Sequence, residues 1–196
     1  MEEATATESS SPSGKARTAL LLLKGYIPWS KENVEILYQC LNCKNCKVFC
    51  PFEDFNLADL IRQTREEAAK RKTVLPETVF NIIKSLEKYG NPYGEKSEGI
   101  EAVPEEAELI YFPGCTVEFR EKEIIQATLK VLRAAGIKAH LLKGFCCGWP
   151  ALHLGNKEIF MKLGEAAKEY LKPYKGKILL TSCPSCFECF SRIYPE

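Results

Sequence analysis

Four cysteines, Cys40, Cys43, Cys46 and Cys50, followed directly by Pro51, form the run C-x2-C-x2-C-x3-C-P. No other feature of the chain narrows its structure as much. Three thiolates at two-residue intervals can aim at one small inorganic core from a single turn of loop. Disulfide geometry, which wants paired Cα atoms, gains nothing from that rhythm. The run is therefore expected to hold an iron–sulfur core, against a structural zinc knot or an unliganded cysteine run. Composition supports a metal reading of the cysteines at large. The chain has ten cysteines in 196 residues, and clustered cysteines in a reducing cytosol are read as metal ligands or redox groups before disulfides. A cytoplasmic location is expected, because the early apolar run Ala19–Leu23 is too short to span a bilayer and the acidic stretch before it lacks a basic signal front.

Charge excludes some partners. With 27 basic and 26 acidic residues the chain has no net field to attract nucleic acid or an anionic membrane. No membrane span is expected, and peripheral association is left open.

The chain reads as α+β, a small all-helical module followed by an α/β module with a short parallel sheet. Residues 1–17, rich in Ser, Thr, Ala and Glu, are expected to be a disordered tail. The helical module covers 18–90. Ser30 caps a helix with Val34, Leu37, Tyr38 and Leu41 on its apolar face, and this helix delivers the chain into the cysteine loop. Asn56 caps a second helix whose apolar side is Leu57, Leu60, Ile61, Thr64 and Ala68, with Glu66–Lys70 and Glu67–Arg71 pairs on its solvated face. Pro76 opens a third helix, ended by Gly90. Residues 91–106, with Pro92, Gly94, Gly99 and Pro104, read as a linker.

From 107 to 196 the rhythm changes to strand 109–112, helix 120–135, strand 137–142, helix 156–171 and strand 177–181. That alternation implies a parallel sheet. Cys115 follows the first strand, Cys146 and Cys147 the second, and Cys183 and Cys186 the third. All five are thus expected at the carboxyl edge of the sheet, where open α/β sheets bind ligands.

Tyr111-Phe112-Pro113-Gly114-Cys115, Cys146-Cys147-Gly148-Trp149-Pro150 and Ser182-Cys183-Pro184-Ser185-Cys186 together resemble the cysteine-rich CCG domain of heterodisulfide reductase subunits. The same domain occurs in the iron–sulfur subunits of glycolate oxidase and anaerobic glycerol-3-phosphate dehydrogenase. The Cys40–Cys50 run is similar to that of bacterial ferredoxins, and helical ferredoxin modules precede CCG domains in such proteins. The resemblance implies a 4Fe-4S or 3Fe-4S cluster at Cys40, Cys43, Cys46 and Cys50. It implies a non-cubane 4Fe-4S cluster or zinc at Cys115, Cys146, Cys147, Cys183 and Cys186. Four or five thiolates suit either metal, but the adjacent Cys146 and Cys147 favour an assembly with several metal atoms to bridge. Cys183 and Cys186 could also form a thioredoxin-like dithiol. Cys189 is expected to be packing, His140 and His153 structural, Trp149 and Pro150 shields against water, and Lys44 and Lys47 surface residues.

One departure from the family matters. Relatives normally carry two ferredoxin-type runs, and the fourth cysteine of each ligates the other cluster. With one run, Cys40, Cys43 and Cys46 need a fourth ligand, from a partner or from Cys50 after rearrangement, unless the core has three irons or is never completed. The resemblance implies an electron-transfer subunit that works between a flavin or hydride-donating partner and a quinone or disulfide acceptor. Its partners would be a flavoprotein or a second CCG subunit. The alternative is a zinc-stabilised interaction module without redox activity. No G-x-G-x-x-G or Walker loop appears, so substrate oxidation is expected of a partner.

Overall fold

A computed structural model describes residues 7–52, 54–96 and 107–194. The chain divides into two units, one comprising residues up to Ile83 with Pro150–Lys157, the other Lys84–Trp149 with the residues from Glu158 onward.

The first unit is helical. Helix α1 (Pro12–Leu23) starts where the Ser11 hydroxyl accepts the Gly14 N–H at 3.0 Å and Pro12 takes the first turn. Helix α2 (Lys31–Tyr38) is capped by Ser30, and the single turn α3 (Asn45–Val48) lies inside the cysteine run. Helix α4 (Leu57–Lys70) is capped by the Asn56 side-chain oxygen, which accepts the Ala58 N–H. Ala19 and Leu22 of α1, Leu37 of α2, and Leu57 and Ile61 of α4 share one core cluster. Burial of each such leucine stabilises the fold by about 2 kcal/mol. Val34, Ala68, Leu75 and Val79 form a second cluster, which Leu154 joins. On the solvated face of α4, Glu67 takes both Lys70 and Arg71. Such exposed pairs contribute about 0.5 kcal/mol or less. Helix α5 (Glu77–Tyr89) carries the chain out of this unit, and Gly90 follows it with φ of 70°.

The second unit is built on three parallel strands, β1 (Leu109–Phe112), β2 (Ala139–Leu141) and β3 (Ile178–Thr181), in the order β2-β1-β3. Leu109 stands opposite both Ala139 and Ile178, and Phe112 opposite Thr181. All four residues of β1 are buried, which suits a central strand covered on both faces. The helix expected over 120–135 is present, and a further short helix precedes it. A short α6 (Cys115–Phe119) follows β1 at once, and α7 (Lys122–Ala134) starts after the turn at Arg120-Glu121. Leu132 of α7 packs with Leu109 and Tyr111 on one face of the sheet. On the other face Phe112 stacks on Phe145, which stacks on Tyr170 of α9 (Lys157–Leu171). The short α8 (Trp149–His153) runs into the segment Pro150–Lys157 of the first unit, and the short α10 (Pro184–Glu188) belongs to the second. A π-helical turn, Cys189–Ile193, follows the latter. Among the described residues no helix is long and apolar enough to cross a membrane.

Two sequence expectations need correction. The tail expected over 1–17 gives way to α1 from Pro12, because the Ser11 cap and the apolar face that starts at Ala16 outweigh the polar composition; residues 1–6 lie outside the described residues. The linker expected over 91–106 is part of the second unit as far as Lys96. There the buried Asn91 side chain donates to the Glu95 and Tyr89 carbonyls and accepts from Tyr93 N–H. Tyr93 in turn hydrogen-bonds Thr116. Residues 97–106 lie outside the described residues.

Because α1 shares its core with α2 and α4, loss of its cap should be felt by the whole unit. Ser11→Ala is expected to lower the unfolding free energy by about 1 kcal/mol in chemical denaturation. An unchanged midpoint would place α1 outside the cooperative fold.

Candidate metal centres

The first cysteine group follows α2. Its backbone is curled by two left-handed residues that are not glycine, Asn42 with φ of 53° and Lys44 with φ of 62°. Each sits between two cysteines of the run, and each costs of order 1 kcal/mol or more. Asparagine tolerates this conformation because its side chain bonds locally, here by accepting the Cys40 thiol at 3.4 Å. Cys40, Cys46 and Cys50 are half-buried, and Cys43 is exposed. Burial, then the charge of Cys40, raises the Cys46 thiol above its ordinary range, while the Lys47 N–H works in the opposite direction.

Two buried cations adjoin this loop, and neither carries a spacing signal in the sequence. Lys15 of α1 is 4% exposed and donates from Nζ to the Ser10 carbonyl at 2.7 Å. Burial, the largest influence, and the nearby Arg65 charge push its pKa down, whereas Cys40, Cys43 and Cys46 push it up. Arg65 of α4 is 3% exposed. Its Nη2 donates to the Leu37 carbonyl at 2.7 Å and to the Cys40 carbonyl, and its Nη1 to the His153 carbonyl at 2.9 Å. Its guanidinium also lies over the Tyr38 ring. Lys44 and Lys47 are exposed.

The second group forms where the strands end. Pro113-Gly114 turns the chain from β1 into α6, which begins at Cys115. The Cys146–Cys147 doublet follows β2; Cys183 caps α10 after β3, and Cys186 lies within α10. The structure brings these five together and adds a sixth, Cys189, which is 0% exposed. Cys186 donates its thiol to Cys147 Sγ at 3.3 Å, while Cys189 Sγ and the Tyr194 hydroxyl donate to the Cys147 carbonyl at 3.1 and 2.7 Å. Three glycines make the approach feasible. A Cβ on Gly114 would stand 2.9 Å from Cys183 Cβ and 3.2 Å from Cys186 Sγ; one on Gly148 would meet Phe160 and Tyr194, and one on Gly164 the Tyr194 ring at 2.8 Å.

Proton sharing within this group is uneven. Hydrogen bonds from Cys146, Cys186 and Cys189 drive the Cys147 thiol far below its ordinary range, and the Trp149 backbone N–H adds to the effect. Bonding to Cys147 is the largest influence raising Cys186 and Cys189; for Cys146 the bond to Cys115 comes first. Cys147 is thus the first thiolate of the set. Cys183, bonded by the Cys186 thiol, is lowered to about 6.

Among the described residues no group of three His, Cys, Asp or Glu side chains is arranged to hold a single metal ion. The six sulfurs close on one another instead. As a donor set they fit an iron–sulfur assembly: soft thiols, five buried and Cys183 half-buried, adjacent at 146–147, supported by backbone N–H groups. His140 lies in β2 opposite Ile110, and His153 contributes its carbonyl to Arg65. Cys189 was legible in principle, since it continues Cys183 and Cys186 at three-residue steps and so shares their helix face. Tyr194 carried no spacing signal.

Residues 109–191 match the model of the CCG cysteine-rich domain family. The wider chain is similar to redox proteins of methanogens. It is 28% identical over 166 residues to a subunit of the fumarate reductase (CoM/CoB) of Methanothermobacter marburgensis, covering 83% of this chain and 34% of that one. To an uncharacterized iron–sulfur protein of Methanococcus maripaludis it is 26% identical over 170 residues, covering 83% and 34%. To a subunit of the dihydromethanophenazine:CoB–CoM heterodisulfide reductase of Methanosarcina mazei it is 27% identical over 185 residues, covering 87% and 45%. The chain therefore spans well under two thirds of the length of these relatives. No solved structure gave a significant match.

Two outcomes test the geometry. Gly114→Ala forces a side chain onto Cys183 at a φ of 86°, so it is expected to cost at least about 2 kcal/mol in thermal unfolding. In metal-free protein, Cys183 is expected to alkylate with a pH midpoint near 6, which mass spectrometry of the labelled peptide would report. Because its folded pKa is depressed, the thiolate stabilises the fold fully above the ordinary thiol range near 9, and that contribution is lost as pH falls through about 6.

Proposed function

We propose that the chain is an iron–sulfur electron-transfer subunit of a heterodisulfide-reductase-like or glycolate-oxidase-like redox complex. One observation carries the reading. Cys115, Cys146, Cys147, Cys183 and Cys186 converge at one sheet edge within a CCG domain, in a chain that separately holds a ferredoxin-type run. In this reading Cys40, Cys43 and Cys46 hold a 4Fe-4S or 3Fe-4S centre, with Cys50 or a partner's group as the remaining ligand. The CCG thiols hold a non-cubane 4Fe-4S assembly or zinc, and Cys189 joins them as a sixth sulfur. Bound iron–sulfur groups supply one-electron redox chemistry.

The chain's own residues do the rest. Cys147 is the thiol most ready to bind metal, since its neighbours already hold it as an anion. Tyr194 and Cys189 fix its carbonyl, and Trp149 N–H fixes its sulfur. Burial of Cys115, Cys146, Cys147 and Cys186 keeps water from the site. At the first loop, Arg65 holds the Cys40 carbonyl and so sets where the run begins.

Electrons would enter from a partner that carries a flavin or hydride site and leave to a quinone or a disulfide. Reduction of a disulfide takes two electrons and two protons to give two thiols, so a one-electron relay must deliver twice. Relatives with a heterodisulfide in their names support that acceptor. Those relatives are themselves named as subunits, which supports a larger assembly with a flavoprotein or a second CCG chain as partner. This function goes with a helical ferredoxin-type module that begins with α1, followed by the CCG module from 107 onward, in the cytoplasm.

Protein purified without oxygen is expected to be brown, to contain iron and acid-labile sulfide, and to lose its visible band with dithionite. Cys147→Ser should remove iron from the CCG site and leave the low-temperature electron paramagnetic resonance signal of the first site. Cys43→Ser should do the reverse. Colourless protein with stoichiometric zinc would instead support the scaffold reading.

A further inference from the structure

We infer that Lys15 is a built-in counter-cation of the Cys40–Cys46 centre, which favours its reduced state. The inference rests on the preceding reading that this loop holds an iron–sulfur group.

A lysine this buried is costly unless its charge meets an anion. The ammonium has three N–H donors, and among the described residues Nζ meets a single neutral acceptor, the Ser10 carbonyl. No carboxylate pairs with it among the described residues. The influences that favour its charge come instead from Cys40, Cys43 and Cys46 together.

Its position is held from several sides. Ala16, the next residue of α1, packs with Cys40 and Cys46 against one apolar cluster. Ser10, which accepts from Lys15 through its carbonyl, donates its hydroxyl to Gln39, the residue before Cys40, at 2.8 Å. A charge held in this way, one residue from the Gln39 contact that precedes Cys40 and within the electrostatic reach of Cys40, Cys43 and Cys46, acts on whatever these thiols hold. An iron–sulfur core bound by thiolates carries net negative charge and gains one more unit on reduction. A fixed cation beside it stabilises the reduced form more than the oxidised form, and burial limits the screening by water and salt. Arg65 supplies a second buried cation but is tied to three carbonyls, so its removal would also disturb the backbone. Lys15 is the cleaner test.

The experiment is a redox titration of the anaerobically purified full chain, monitored by electron paramagnetic resonance of the first centre. Lys15→Met keeps the apolar stem and removes the charge, Lys15→Arg keeps the charge, and Ser11→Ala loosens the same helix with Lys15 in place. In Lys15→Met the reduced-to-oxidised ratio at a fixed solution potential should fall at least about tenfold, 59 mV for a one-electron couple. In the other two it should stay near the wild-type value. Should Lys15→Met lose the centre altogether, Lys15→Gln is measured too. Loss in both neutral variants with retention in Lys15→Arg supports the charge requirement, and loss in all three overturns it. An unchanged potential in Lys15→Met, or an equal shift in Ser11→Ala, overturns the inference and leaves the electron-transfer reading intact. Wild-type protein without iron at this loop overturns both.

Discussion

Bringing several sulfurs to one place demands backbone turns that ordinary residues resist, and much of the structure around both cysteine groups answers that demand. At the first loop the turns fall on Asn42 and Lys44, both left-handed. At the second they fall on Gly114 and Gly148, where a Cβ would strike Cys183 or Phe160. The costs at Asn42 and Lys44, of order 1–3 kcal/mol each, are offset by rigid surroundings, and glycine adopts the turns at 114 and 148 without that penalty. Leu37 and Ile61 pack beneath the first loop. The buried strand β1 and the Phe112–Phe145–Tyr170 stack lie beneath the second. Without those supports the chain would relax the turns and spread the thiols.

The second unit was largely legible because its signals are periodic and local. A run of four apolar residues at 109–112, Gly136 after α7 and the cysteines after each strand predict the parallel sheet and the convergence at its carboxyl edge. Helix α1 was not legible, because its polar first turn looks like the tail that precedes it. What makes it helical is the Ser11 cap and the shared burial of Ala19 and Leu22 with Leu37 and Ile61, contacts distant in sequence. Leu41 failed in the opposite sense. It continues the apolar period of α2 but is 76% exposed, because α2 ends at Tyr38 and the cysteine loop has already turned away. The segment Pro150–Lys157 belongs with the first unit for a similar reason: its carbonyls satisfy Tyr38 and Arg65, at Leu154 and His153. No sequence pattern announces a partner that is a backbone carbonyl.

The two cysteine groups also stabilise negative charge by different means. Around the first, the helpers are whole cations, Lys15 and Arg65, set in a loop whose edge is open, with Cys43 exposed and Phe49 at 84% exposure. Around the second, the influences that favour a thiolate are hydrogen bonds from neighbouring thiols and backbone N–H groups, within a buried set. Thiol donors give up their protons when a metal binds, so the hydrogen-bonded network of the second group would be remade on loading. Fixed cations persist through every redox state, whereas a thiol proton network exists only until the sulfurs are ligated. Under the proposed function, an accessible loop backed by permanent charge would serve repeated electron exchange with a partner. A closed sulfur cage whose protons are displaced by metal suits a centre assembled once and kept from water.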